Sequence, residues 1–210
     1  MEKLITIVDY GMGNLRSVAK AIEFSGSSAR VSDRPEDVLA ARKIVVPGVG
    51  HFGDAMRNLR ERGLDGAIRA FIERGGMYLG LCVGYQILFE SSEEDPDVEG
   101  LGVMKGHCRH FRTLTEGTSL KVPHMGWNTV EFSDSAGHSP LLRGIEDNSF
   151  FYFVHSYYVD PDDESIVTGW TMYGGRFAAM IAAQNVFGLQ FHPEKSQELG
   201  LLVIKNFEEL

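Results

Sequence analysis

Residues 77–86 read Met77-Tyr78-Leu79-Gly80-Leu81-Cys82-Val83-Gly84-Tyr85-Gln86. Met77–Leu81 is a short apolar run that follows a Gly75-Gly76 turn, as a buried strand does. From Val83 to about Phe89 the pattern is that of a helix. Between them, Gly80-Leu81-Cys82-Val83-Gly84 has the form of a nucleophile elbow, a sharp strand-to-helix turn written G-x-nucleophile-x-G. Strand and helix come too close there for side chains at the glycines, and the central residue is pushed out at the carboxyl end of the strand. An isolated cysteine is otherwise a small buried hydrophobe, so two readings of Cys82 stand side by side. The strand–turn–helix context favours the nucleophile. It sets the thiol at a helix N-terminus, which favours the thiolate, and brings the Val83 N–H beside it as an oxyanion donor.

Working outward from the elbow, the first 90 residues alternate strand and helix. Apolar runs at Leu4–Val8 and Lys43–Val46 predict further buried strands, and Ala29–Ser32 is expected to be a short strand. Leu15–Phe24 has helical periodicity, and residues 53–74 read as helix broken near Gly63. Continuously apolar strands joined by helices are the mark of a parallel sheet covered on both faces. The second half changes character. Strands are expected over Leu101–His110, Lys121–Phe132, Ser149–Val159, Ser165–Met172, Phe177–Gln184 and Val186–Phe191, with tight connections such as Tyr173-Gly174-Gly175. Ser196–Glu209 closes the chain as an amphipathic helix. The expected fold is α/β: a mostly parallel central sheet flanked by helices, with additional antiparallel strands in the C-terminal half, in one domain over residues 1–210.

Composition narrows the function classes. A hydrophobic content of 43% and a charged content of 23% fit an ordinary globular chain. A net charge of −9 argues against a nucleic-acid partner, which calls for a basic face. No apolar stretch approaches the 18 residues of a membrane span. Two cysteines, Cys82 and Cys108, make no disulfide framework and suit a reducing, cytoplasmic setting.

A cysteine nucleophile needs a base, and of the seven histidines His192 is the informative one. It ends the apolar run Gly188-Leu189-Gln190-Phe191. Pro193 holds it extended and stops the strand. Glu194 lies two residues on, so extended chain points both side chains the same way, and a carboxylate beside an imidazole fixes its tautomer. A second oxyanion donor can come from Pro47-Gly48-Val49-Gly50, which follows the third strand and also reads as an ordinary strand-to-helix turn.

Five stretches together carry a family resemblance: PGVGHFGDAM (47–56), GLCVGYQ (80–86), KVPHMGWN (121–128), FVHSYY (153–158) and GLQFHPEKS (188–196). They resemble the class I glutamine amidotransferases, flavodoxin-like in fold, over nearly the whole chain. More narrowly they resemble the glutaminase subunits of imidazole glycerol phosphate synthases, which serve histidine biosynthesis. The elbow and H-P-E are general to the class; PHMGWN and HSYY point to the branch. The resemblance implies that Cys82 attacks the side-chain amide of L-glutamine to form a thioester, that His192 is base and acid, and that Glu194 orients it. Val83 and the Val49–Gly50 region would supply the oxyanion donors, and Gln86 would hold the α-amino or carboxylate end. Ammonia would pass to a (β/α)₈ cyclase subunit as heterodimer partner. That subunit would make imidazole glycerol phosphate and aminoimidazole carboxamide ribotide. Asn14, Trp127, Tyr152 and Lys195 would lie at or near the gating interface. No cofactor and no metal are implied. Departures are few: His51 stands where a small residue is expected, and Val83 and Tyr85 replace Leu and Met. A stand-alone cysteine hydrolase and a silent partner-binding scaffold are the competing readings.

Other motifs carry less. Gly11-Met12-Gly13-Asn14 lacks the third glycine of a dinucleotide fingerprint, since Arg16 occupies its place. His107-Cys108-Arg109-His110 alternates across a strand and has no second ligand cluster. The acidic run from Ser91 to Asp97 is expected to be a solvated loop, and Phe150–Phe153 a core strand with a possible docking face.

Overall fold

A computed structural model describes residues 4–116, 118–133 and 139–210. The apolar runs become the strands β1 (Leu4–Val8), β3 (Lys43–Gly48) and β4 (Met77–Cys82), with β2 (Ser28–Ser32) outside them and β12 (Val186–Leu189) returning from the far end of the chain. These five are parallel and run in the order β2-β1-β3-β4-β12. That is the 2-1-3-4-5 order of a flavodoxin-like sheet. Alternate residues feed cores on opposite faces. Val46 and Tyr78 pack with Phe52, Leu59 and Phe71 of α3 (Phe52–Glu61) and α4 (Leu64–Glu73). Val45, Leu79 and Leu81 pack with Ile22 of α1 (Leu15–Ser25) and Phe207 of α7 (Gln197–Glu208).

Beyond β12 the sheet turns antiparallel, through β11 (Gly175–Ala183), β10 (Val167–Tyr173), β7 (His124–Phe132) and β8 (Ser149–His155). The mixed sheet is as the sequence predicts, but four local features differ. The helix after the elbow, α5 (Val83–Gln86), is one turn long instead of reaching Phe89. The Ile87 and Leu88 carbonyls are taken by the amides of Leu101, Val103 and Met104, so an adjacent loop replaces the next helical turn. The strand expected over Ser149–Val159 splits at Ser156, whose carbonyl accepts from Phe111 N–H; β9 (Tyr157–Pro161) then pairs with β6 (Gly106–His110). The strand expected from Leu101 begins only at Gly106. A short helix, α2 (Pro35–Ala40), was not anticipated, although Pro35 at its first turn followed by Glu36 and Asp37 is a recognisable start signal. Along β6, Cys108 points inward while His107 and Arg109 face out, and the described residues form no metal-ligating cluster.

Candidate active site

Cys82 is the last residue of β4 and carries φ 52° and ψ −106°, a left-handed strain uncommon outside glycine. The glycines around it are required by contact. A Cβ on Gly84 would lie 1.8 Å from the Val46 carbonyl oxygen, and one on Gly80 would lie 2.4 Å from the Gly84 oxygen. Gly48, aligned with Cys82 in the β3–β4 register, faces the same crowding: its Cβ would meet the Tyr10 hydroxyl and Val83 Cβ at 2.6 Å. Tyr10 is buried, its pKa driven upward by burial and then by Cys82, and its hydroxyl donates to the Pro47 carbonyl at 2.7 Å. This pins the end of β3, from which the Val49–Gly50 turn leaves.

His192 follows the end of β12 by three residues, one strand across from β4. Its side chain and that of Glu194 are 3% and 2% exposed, and Nδ1 lies 2.9 Å from Glu194 Oε1. With Nδ1–H donating to the carboxylate, Nε2 is left buried with no hydrogen-bond partner among the described residues. Burial works against the imidazolium, but interaction with the Cys82 sulfur and with Glu194 outweighs it and raises the pKa to about 10. The turn is braced on β8: His192 N–H donates to the Tyr152 carbonyl, Tyr152 N–H to Ser196 Oγ, and Ser196 Oγ–H to the His192 carbonyl.

A cavity of about 250 Å³ opens over the thiol, walled by Val49, Gly50, Cys82, Val83, Gln86, Glu94 and residues 154–157. Val83 begins α5, where an amide has no helical acceptor. Gly50 has φ 99°, and Val49 is half exposed beside it. Gln86 is buried, and its side-chain N–H groups donate to the Tyr157 carbonyl at 3.0 Å and to Gln190 Oε1 at 3.1 Å. What Gln86 offers the cavity is therefore its carbonyl oxygen. Cys82, Val83, Val49, Gly50 and Gln86 all meet here, and His192, bonded to Glu194, is close enough to the sulfur to interact with it.

The acidic run is not a plain solvated loop. Ser91–Ser92 forms β5 against β6, Asp95 pairs with Arg57 at 2.9 Å, and Glu94 lines the cavity while accepting from Phe52 N–H at 2.7 Å. Glu94 and Gln190 are among the site residues that sequence reasoning missed, with His155 and Tyr157 of the cavity wall. Gln190 lay in plain view one strand-period before His192; Glu94 is placed by tertiary packing that no local pattern reports. Two histidines of the PHMGWN and HSYY stretches are also buried here. His124 Nδ1 and His155 Nε2 are 3.0 Å apart, and burial lowers their pKa values to about 4 and about 3.

His51 caps α3, its Nδ1 accepting from Gly53 N–H at 3.2 Å. The Tyr85 ring lies against Gly188, where a Cβ would come within 2.1 Å of it. Asn14 caps α1, in a turn whose Gly13 abuts Pro47. On the outer face of β7 and β8, Trp127 pairs edge-on with Tyr152 at 6.0 Å, and Lys195 Nζ stands 5.7 Å from the Tyr152 ring centroid. Met125 and Phe150 are exposed on the same face.

A profile of the family "Glutamine amidotransferase class-I" matches residues 6–208, so the chain belongs to the class-I glutamine amidotransferase family. Among solved structures, a glutamine amidotransferase superposes with a TM-score of 0.74 at 18% identity, covering 98% of this chain and 99% of that one. PurLQS from Thermotoga maritima gives 0.71 at 21%, covering 100% and 97%. These are likenesses of fold. Closer in sequence is "Imidazole glycerol phosphate synthase subunit HisH" of Moorella thermoacetica, 50% identical over 98% of this chain and 94% of that protein. The Methanocaldococcus jannaschii protein of the same name is 46% identical over 99% and 100%, and that of Bacillus subtilis 45% over 99% and 96%.

Proposed function

We propose that this chain is the glutaminase subunit of an imidazole glycerol phosphate synthase, releasing ammonia from L-glutamine for a (β/α)₈ cyclase partner in histidine biosynthesis. The observation that carries the reading is the strained Cys82 at the floor of a small cavity, with a buried His192–Glu194 pair close enough to interact with it. The Cys82 thiolate attacks the amide carbon, and N–H groups of Val83 and the Val49–Gly50 loop receive the oxyanion. The C–N bond breaks as imidazolium His192 gives its Nε2 proton to the leaving nitrogen, which departs as ammonia. Neutral His192 then takes a proton from water as it attacks the thioester. The C–S bond breaks, thiolate and imidazolium return, and glutamic acid loses its proton to solvent. Glu194 keeps the imidazole in one tautomer throughout. The Glu94 carboxylate and Gln86 carbonyl suit the α-ammonium group.

Trp127, Tyr152 and Lys195, with Met125 and Phe150, form an exposed aromatic and apolar face suited to the cyclase. It lies one hydrogen bond from the base, since the Tyr152 carbonyl holds His192 N–H. Glutamine turnover measured with and without the cyclase tests the reading. Stimulation by the partner and its ligand is expected, and full activity of the isolated chain, unchanged by the partner, would contradict it.

A further inference from the structure

Hydrogen-bond polarity at this site can be followed atom by atom, because the chain of bonds ends on backbone carbonyls that only accept. The Asn128 amide donates to the Met172 carbonyl at 2.9 Å and faces His124 Nε2 at 3.2 Å. His124 Nε2 is thus an acceptor, and the proton of the neutral ring lies on Nδ1, pointing to His155 Nε2 at 3.0 Å. His155 in turn carries its proton on Nδ1 and donates to the Tyr157 carbonyl at 2.7 Å. The same carbonyl takes one N–H of Gln86 at 3.0 Å. With the amide of Gln86 turned that way, its second N–H faces Gln190, which must answer with Oε1, at 3.1 Å. Gln190 is fully buried, so its own side-chain N–H is left to point at the remaining polar neighbour, the Cys82 sulfur, at 3.7 Å.

We propose that Gln190 is a further catalytic residue, an N–H donor that holds the Cys82 sulfur as thiolate. This rests on reading Cys82 as the nucleophile. A charged sulfur gains more from an N–H donor than a thiol does, and a buried site strengthens the difference. The titratable groups facing the sulfur from the surrounding elements are His192 with Glu194 after β12, Tyr10 after β1, His155 at the end of β8 and Glu94 across the cavity. Of these His192 must change protonation during each cycle, whereas the Gln190 amide is a constant donor. Its direction is imposed by Tyr157 and the histidine pair, so it costs no reorganisation during reaction.

The test is the pH dependence of iodoacetamide alkylation at Cys82 in the full chain, read on the Cys82 peptide by mass spectrometry, for wild type, Gln190→Glu and Gln190→Met. Gln190→Glu keeps an acceptor for Gln86 but puts a carboxylate oxygen in place of the N–H at sulfur, so it removes the donor and also repels the thiolate. Gln190→Met removes both acceptor and donor. Expected for Gln190→Met is alkylation roughly tenfold slower than wild type at pH 6.5, the size of one lost bond to a charged group, with rates converging at pH 9.5, and for Gln190→Glu a slowing at pH 6.5 at least as large. Equal rates at pH 6.5 in either folded variant overturn the inference. If neither variant folds, the wild-type chain still puts the role at risk: a ratio of rates at pH 6.5 and 9.5 equal to that of the isolated Cys82 peptide refutes it. Cys82→Ala separates the two claims. Retained glutaminase activity there defeats the nucleophile itself, whereas its loss together with unchanged Gln190 profiles defeats only the present inference.

Discussion

Replacing Gly84 by Ala adds a single methyl group where the structure has no room for one. The new Cβ would sit 1.8 Å from the Val46 carbonyl oxygen and 2.8 Å from its carbon, against the 3.0 Å below which real Cβ contacts essentially do not occur. About 1.2 Å must be found by moving backbone, because the obstructing atoms belong to β3 and not to a flexible side chain. The β3–α5 spacing is what aims Val83 N–H and sets Cys82 opposite Gly48. Overpacking of this kind costs about 1–3 kcal/mol. For a chain of this length that is a fall in Tm of roughly 2–12 °C. A misplacement near 1 Å at the reacting group costs about 10²-fold in kcat. Gly66 is the internal control: it is exposed in α4 and no atom of the described residues lies within 4 Å of its Cβ position, so Gly66→Ala should stabilise by about 0.5–1 kcal/mol. Thermal melts and partner-stimulated glutaminase assays read both quantities. A Gly84→Ala protein with wild-type Tm and kcat within twofold would refute the account of the elbow.

Glu194→Gln should keep the shape of the Nδ1 contact but lose its charge, lowering kcat by roughly 10²-fold and moving the alkaline limb of activity to lower pH. The sign follows from the raised His192 pKa: the stability it contributes is fully present below the unfolded value of 6.5 and fades as pH rises through about 10. The Tm gap between wild type and Glu194→Gln should therefore be widest near pH 6 and close toward pH 10; a constant gap would refute the assignment. Glu94→Gln should raise the KM for glutamine about tenfold with kcat little changed, the loss of one charge-assisted contact to the α-ammonium; an unchanged KM removes Glu94 from the site.

The parallel half of the fold was legible because its inner strands are continuous apolar runs and each glycine turn is local; only the edge strand β2, Ser-Ala-Arg-Val-Ser and largely exposed, lacks that signal. That Cys82, His192 and Glu194 would be brought near one another was legible for the same reason: the elbow is a five-residue pattern, and Pro193 and Glu194 follow His192 directly. What could not be read depends on distant partners. The premature end of α5 comes from amides near residue 101 taking helix carbonyls. The split at Ser156 reflects β8 and β9 serving different neighbours. Glu94 enters the cavity because the segment after β5 docks on α3 through the Phe52 amide and Arg57. Gln86 was expected to hold the α-amino or carboxylate end of the substrate; which of its atoms is free to do so could not be read, because its N–H groups are consumed internally, one of them by the Tyr157 carbonyl 71 residues away.

The central claim is that Cys82 makes ammonia for a partner and has no part in the partner's own chemistry. Cys82→Ser in complex with the cyclase measures this directly, by following imidazole glycerol phosphate formation with either glutamine or ammonium as nitrogen source. Glutamine-dependent synthesis should vanish while ammonium-dependent synthesis continues at the wild-type rate. Undiminished synthesis from glutamine, or loss of both activities in a folded complex, would contradict it.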